Sequence, residues 1–152
     1  VDSPDTREGF SKYLAEITYF DSQVGELVGL LDRSPHRDNT LVIVLSEQGN
    51  SFPFAKWTCY DVGLASACIA RWPGKVKPGS VSDALIEYVD VTPTFLEAAG
   101  VERPAILDGR SFVPVLTGRA TTHKTHVFGL QTTRGINAGS DYYGIRSVRD
   151  AR

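Results

Sequence analysis

From Ser11 to Arg33, apolar residues recur at alternating steps of four and three: Tyr13, Ile17, Phe20, Val24, Leu27 and Leu31. That spacing lays one apolar stripe along a helix, with Lys12, Glu16, Gln23 and Glu26 off it. Ser34-Pro35-His36-Arg37-Asp38-Asn39 then turns the chain. The aliphatic run Leu41–Leu45 is too short for a helix and predicts a buried strand of a parallel sheet. It gives way to Glu47, Gln48 and Gly49 and to a polar, Gly/Pro-interrupted stretch as far as Val62, long enough to suggest function. A second buried strand is predicted over Ala65–Trp72, followed by turns at Pro73-Gly74 and Lys77-Pro78-Gly79.

Glu87–Val91 predicts a short extended piece before a well-punctuated helix. Thr92 suits its N-cap, Pro93 its first position and Gly100 its C-terminal cap, with Phe95, Leu96 and Ala99 facing the core. Val127–Leu130 and Tyr142–Val148 read as two further strands around a Thr/Gly/Asn-rich loop, Gln131–Ser140. The order helix, strand, strand, helix, strand, strand supports an α/β fold.

Composition narrows the function more than the fold. The 152 residues carry 16 Lys and Arg against 18 Asp and Glu, a net charge of −2, which argues against a surface held to nucleic acid by bulk electrostatics. No segment approaches the roughly 18 continuous apolar residues of a membrane span. The polar start, Val1-Asp2-Ser3-Pro4-Asp5, is neither a Met nor a signal peptide, so the expectation is a piece of a longer chain. Cys59 and Cys68 are too few for a disulfide framework or a cysteine zinc site.

Polar residues just beyond a strand's C-terminal end occupy the place where open α/β sheets put their chemistry. Glu47 and Gln48 offer oxygens of the kind a hard divalent cation accepts, though two ligands do not complete its shell. Lys56 could neutralise an oxyanion there, and Arg134, on the later loop with Thr132 and Thr133, could grip a sulfate or carboxylate in bidentate fashion. On residue chemistry alone the plainer readings stay open: a solvated strand-end acid, a turn cap, a surface lysine and a surface loop. His36, His123 and His126 match no metal-binding spacing and are read as non-catalytic.

Several segments, in order, resemble the C-terminal part of the catalytic domain of type I sulfatases, in the alkaline-phosphatase-like superfamily. YLAEITYFDSQVGELVGLLDR looks like the helix before the family's strand, and LVIVLSEQG like the strand that ends Ser-Asp-His-Gly or Ser-Asp-Asn-Gly. SACIARWPGKVKPGSVSD, VDVTPTFLEAAGV, LDGRSFVPVLTG and YYGIRSVRDAR are similar to the stretches that follow it. The short SFPFAK spacing is similar to the heparan N-sulfatase-like branch rather than to the long arylsulfatase loop.

The resemblance implies a partial alkaline-phosphatase-like sandwich, a mostly parallel sheet with flanking helices running into the start of the C-terminal subdomain. Residues 1–100 or so would form the sheet and helix core, and about 101–152 the later loops and strands. It implies a sulfuric ester hydrolase acting on sulfate esters or sulfamates, with a sulfated small molecule or glycan as substrate. Glu47 matches the calcium-ligating Asp, Gln48 the adjacent Asn or His, and Lys56 the lysine that contacts sulfate. Glu-Gln lengthens both side chains by a methylene relative to the family's pair. The Cys/Ser-x-Pro-x-Arg segment that becomes the formylglycine nucleophile is absent from this chain, as is the Asp-Asp pair of calcium ligands, so both are expected upstream. The chain alone is then expected to be inactive and to self-associate through an exposed sheet edge and apolar face. A periplasmic or secreted location is the family expectation. A phosphoester hydrolase of the same superfamily and a non-catalytic relic or binding domain are the alternatives.

Overall fold

The computed structural model describes residues 2–47, 50–131 and 144–151. The chain divides into two compact units, Val1–Thr40 and Leu41–Arg152.

The first unit is essentially one helix, α1 (Pro4–Asp32). It begins at Pro4 rather than Ser11 because Ser3 is an N-cap: its hydroxyl accepts the Thr6 amide at 3.2 Å, and Pro4 occupies the first turn. Asp5 adds negative charge at the positive end of the helix. The predicted stripe lies on α1, yet no residue of the helix is buried; Tyr13, Ile17, Phe20 and Leu27 are exposed and Val24 and Leu31 half-buried.

In the second unit, β1 (Val42–Leu45) pairs with β2 (Cys68–Arg71). The expected parallel relation is corrected here: the pair is antiparallel, with Val42 opposite Arg71 and Leu45 opposite Cys68. A parallel crossover must carry the chain back along the sheet on a long helix. The connection from Ser46 to Ala67 instead leaves and returns at one end and, among the described residues, holds only the short helix α2 (Asp61–Leu64). Both strands are half-buried or exposed where burial was expected. Strand β2 is shorter than Ala65–Trp72 because Ala65 caps α2 and the Ser46 hydroxyl takes the Ala67 amide at 2.7 Å.

Beyond β2, Glu87–Val91 is not extended: Tyr88–Asp90 forms a 3-10 turn that runs into α3 (Val91–Ala98), with Asp90 rather than Thr92 at its N-cap. The earlier start turns Pro93 and Thr94 inward and leaves Phe95 and Ala99 exposed. Gly100 closes the helix as expected, in the left-handed conformation at φ 70°, with its amide donating to Glu97 O. A four-residue helix, α4 (Val113–Leu116), packs with α3, and the enclosed centre comprises Asp90, Pro93, Thr94, Phe112 and Val113. Strands β3 (His126–Gln131) and β4 (Ile145–Asp150) form a second antiparallel pair. The start predicted for β4, Tyr142, lies outside the described residues.

Candidate active site

Glu47 follows β1 directly, and the strand end that presents it is tied on three sides. The Ser46 amide donates to Ala67 O, its hydroxyl accepts from the Ala67 amide, and its carbonyl accepts the Tyr88 hydroxyl. The loop that follows folds back on itself through local polar bonds. The Lys56 amide donates to Asn50 O at 2.8 Å, the Phe52 amide to Asn50 Oδ1 at 2.9 Å, and the Thr58 hydroxyl to Ala55 O at 2.8 Å. Ala55 is buried. Gly63 lets α2 approach that turn, since a Cβ on it would lie 2.4 Å from Ala55 O and 2.7 Å from Thr58 O. The hairpin β3–β4 buttresses α2: Leu64 sits against Gly129, and Arg149 pairs with Asp61.

This scaffold returns Lys56 to the strand end. Its Nζ lies 3.8 Å from Glu47 Oε2, with the lysine side chain 28% exposed and the glutamate 74%. An ion pair this open to water contributes about 0–1 kcal/mol, too little to shape the loop. The two groups are held near each other by backbone architecture and remain open to a third group. Gln48 and Arg134, the other two residues singled out from sequence, lie outside the described residues.

The donor chemistry at the strand end fits a hard cation in kind: Glu47 offers an exposed carboxylate and its neighbour Gln48 an amide oxygen. In number it is a partial set. No group of three or more His, Cys, Asp or Glu that could hold a metal occurs among the described residues. A calcium ion at Glu47 would draw its remaining ligands from other segments of polypeptide.

A second polar cluster lies around Asp90, which is fully enclosed. Its Oδ2 accepts the Glu87 amide at 2.9 Å and lies 2.9 Å from Lys124 Nζ, and its Oδ1 accepts the Arg110 amide at 3.0 Å. Burial would raise its carboxyl, but these donors outweigh it and hold the group below the ordinary carboxylate value. Lys124 also pairs with Glu87, whose other oxygen accepts the Phe128 amide, and these partners overcome burial to raise the lysine. His123, with its side chain 5% exposed, packs edge-on against Phe112. Its Nε2 is 3.3 Å from Asp90 Oδ2, near enough for attraction but misaligned for a hydrogen bond. Burial lowers its pKa despite Asp90, with Arg110 and Lys124 adding to the effect. Gly109 is crowded against the same knot: a Cβ there would lie 1.8 Å from Val89 O.

The apolar spacing of the sequence does not reveal this cluster, in which Lys124 bridges to Leu85. The missed signal is the spacing of Glu87, Asp90 and Thr94, which sets polar groups along one face where an apolar stripe was expected. The cluster is structural. It joins the start of α3 to the segment before α4 and to β3.

Residues 49–149 match the family described as N-sulphoglucosamine sulphohydrolase, C-terminal. The chain belongs to this family. That is the membership implied by its resemblance to the sulfatases and to their heparan N-sulfatase-like branch. Over 140 residues it is 39% identical to an ulvan-active sulfatase of Formosa agariphila, covering 92% of this chain and 27% of the relative. It is 36% identical to an N-acetylglucosamine-6-O-sulfatase of Bacteroides thetaiotaomicron, over 89% of this chain and 26% of the relative. The chain thus spans about a quarter of the length of these relatives. A solved structure in complex with its substrate D-glucosamine-2-N,6-O-disulfate superposes with a TM-score of 0.72 at 25% identity, covering 91% of this chain and 29% of that one. A phosphonate monoester hydrolase from Silicibacter pomeroyi superposes at 0.70 with 29% identity, over 87% and 29%. The α/β, alkaline-phosphatase-like fold read from the sequence therefore holds, here with small antiparallel sheets among the described residues.

Proposed function

We propose that this chain is the distal part of a sulfatase that hydrolyses sulfate esters of a sulfated sugar, and that Lys56 and Glu47 belong to its active site. The observation that carries the reading is the return of Lys56 to the end of β1, 3.8 Å from Glu47, in a chain of the sulphohydrolase family. The names of the relatives, an ulvan-active and an N-acetylglucosamine-6-O-sulfatase, support a sulfated sugar as substrate.

Sulfate ester hydrolysis breaks a bond to sulfur and adds water across it, so charge gathers on the sulfuryl oxygens and on the leaving alcohol oxygen. Lys56 answers the first of these. Its ammonium is a compact donor, part-buried and already placed, and a sulfate oxygen would take up the donor capacity that the long contact with Glu47 leaves unused. Removal of one such preorganised donor costs about a hundredfold to a thousandfold in rate. Glu47 and Gln48 would hold calcium as part of a larger ligand set; when bound, the ion polarises the sulfate oxygens as a Lewis acid. A formylglycine, expected on another segment, would supply the nucleophile. Lys56 is kept in place by the backbone bonds of its loop rather than by the weak, solvent-exposed attraction of Glu47.

A second reading, phosphoester hydrolysis, has the support of the phosphonate monoester hydrolase among the structural neighbours. The test is release of inorganic sulfate from N-acetylglucosamine 6-sulfate by the full polypeptide, run beside a phosphonate monoester and repeated after chelation. Sulfate release that chelation suppresses and calcium restores is the expected result. Cleavage of the phosphonate alone would establish the second reading, and calcium binding without turnover of either would point to a binding domain.

A further inference from the structure

The loop that carries Lys56 has a feature the hydrolytic step does not use. Phe54 and Trp57 adopt φ of 68° and 67°, the left-handed region, which bulky side chains rarely enter. Such a backbone persists only where its surroundings impose it. Here they do: the Lys56 amide is held by Asn50 O, the Thr58 hydroxyl bonds both Phe54 O and Ala55 O, and Gly63 presses against the turn. With Ala55 facing inward, Phe54 and Trp57 are turned out, the residues being 72% and 54% exposed. The two rings differ in what they meet. Phe54 leans edge-on against Tyr60, whereas the Lys56 ammonium lies over the Trp57 ring, 5.8 Å from its centroid.

We propose that Trp57 is a substrate-contacting residue whose indole face receives the apolar C–H face of the pyranose whose sulfate lies on Lys56. The proposal rests on the sulfatase reading and deepens it. A gluco-configured pyranose presents axial C–H groups on its faces, and an electron-rich indole suits them in area and in quadrupole. A sulfate ester joins its sulfate to the pyranose through one short linkage, so the neighbouring side chains Lys56 and Trp57 can be contacted by one ligand. The geometry also makes Trp57 selective: an alkyl sulfate without a ring satisfies Lys56 and leaves the indole uncovered.

The competing account is that Trp57 merely seats the Lys56 ammonium by a cation–π contact. Steady-state kinetics of the full polypeptide separate the two, with N-acetylglucosamine 6-sulfate and ethyl sulfate as paired substrates. Trp57→Ala is expected to lower kcat/KM for the sugar sulfate about tenfold more than for ethyl sulfate, mainly through KM, a factor in the range of aromatic stacking on a flat ligand. Trp57→Phe recovers most of the difference. If ethyl sulfate is not turned over, its Ki as a competitive inhibitor takes the place of its KM, and if Trp57→Ala does not accumulate, Trp57→Leu carries the same comparison. Equal losses on both ligands, or none on either, would overturn the contact while leaving the sulfatase reading intact. Sulfate release from neither substrate by the unmutated protein would overturn the reading itself, and the contact with it.

Discussion

Asp90 shows how far a single residue governs this chain. It is enclosed yet ionised, because two backbone amides and the Lys124 ammonium supply what water would have. Asp90→Ala would leave both amides without their acceptor and Lys124 with Glu87 as its remaining partner, and breaking a buried pair in this way costs about 3–5 kcal/mol. Chemical denaturation of the full polypeptide should show a loss of that order in the domain containing α3. The same knot predicts a pH dependence. The His123 pKa is lowered, so the unfolded chain binds the proton more readily; its contribution to stability is complete above about pH 6.5 and falls away as the pH drops through the folded value. Asp90, also lowered, behaves likewise with loss beginning below about pH 3.8, whereas Lys124, raised, contributes fully below about pH 10.5 and is lost as the pH rises through its folded value. Thermal melts should therefore start to fall just below pH 6.5, and His123→Gln should remove that first decline. A melt that is flat from pH 7 to 4 would contradict the assignment.

Among the elements, the sequence pattern located each main helix and strand but misjudged how they relate. The 3.6-residue stripe of α1 and the aliphatic run of β1 are strong local signals, and the structure has both. The direction of β2 is not a local property. It depends on where the connection from Ser46 to Ala67 re-enters, which Gly63 and the bonds of Asn50 and Thr58 decide. The left-handed backbone of Phe54 and Trp57 was likewise illegible, because bulky residues there run against propensity and are imposed by contacts. The approach of Lys56 to Glu47 was not legible locally, since nothing in Ser51-Phe52-Pro53 reveals that the loop turns back; only the family resemblance assigned both residues to one site. Gly63→Ala tests this element directly. A methyl group cannot fit 2.4 Å from Ala55 O, so the turn must shift and carry Lys56 with it. Misplacement of a functional group by about 1 Å can cost on the order of a hundredfold, and kcat/KM for sulfate release should fall by about that much.

At the scale of the whole molecule, many large apolar side chains of the described residues stand open to water. Leu27, Leu30, Ile69, Phe128, Leu130 and Val148 are all well exposed, and the centre around Phe112 is small. This fits the share of the sulfatase relatives that the chain spans, about a quarter. The 152-residue chain by itself should self-associate and release no sulfate; a monomeric sedimentation profile would contradict the first expectation and turnover the second. The central claim is that Lys56 engages the sulfate group, and one measurement tests it most directly: kcat/KM for N-acetylglucosamine 6-sulfate in the full polypeptide and in its Lys56→Ala variant. A fall of about a hundredfold or more with the fold preserved is predicted, and unchanged turnover by Lys56→Ala would contradict it.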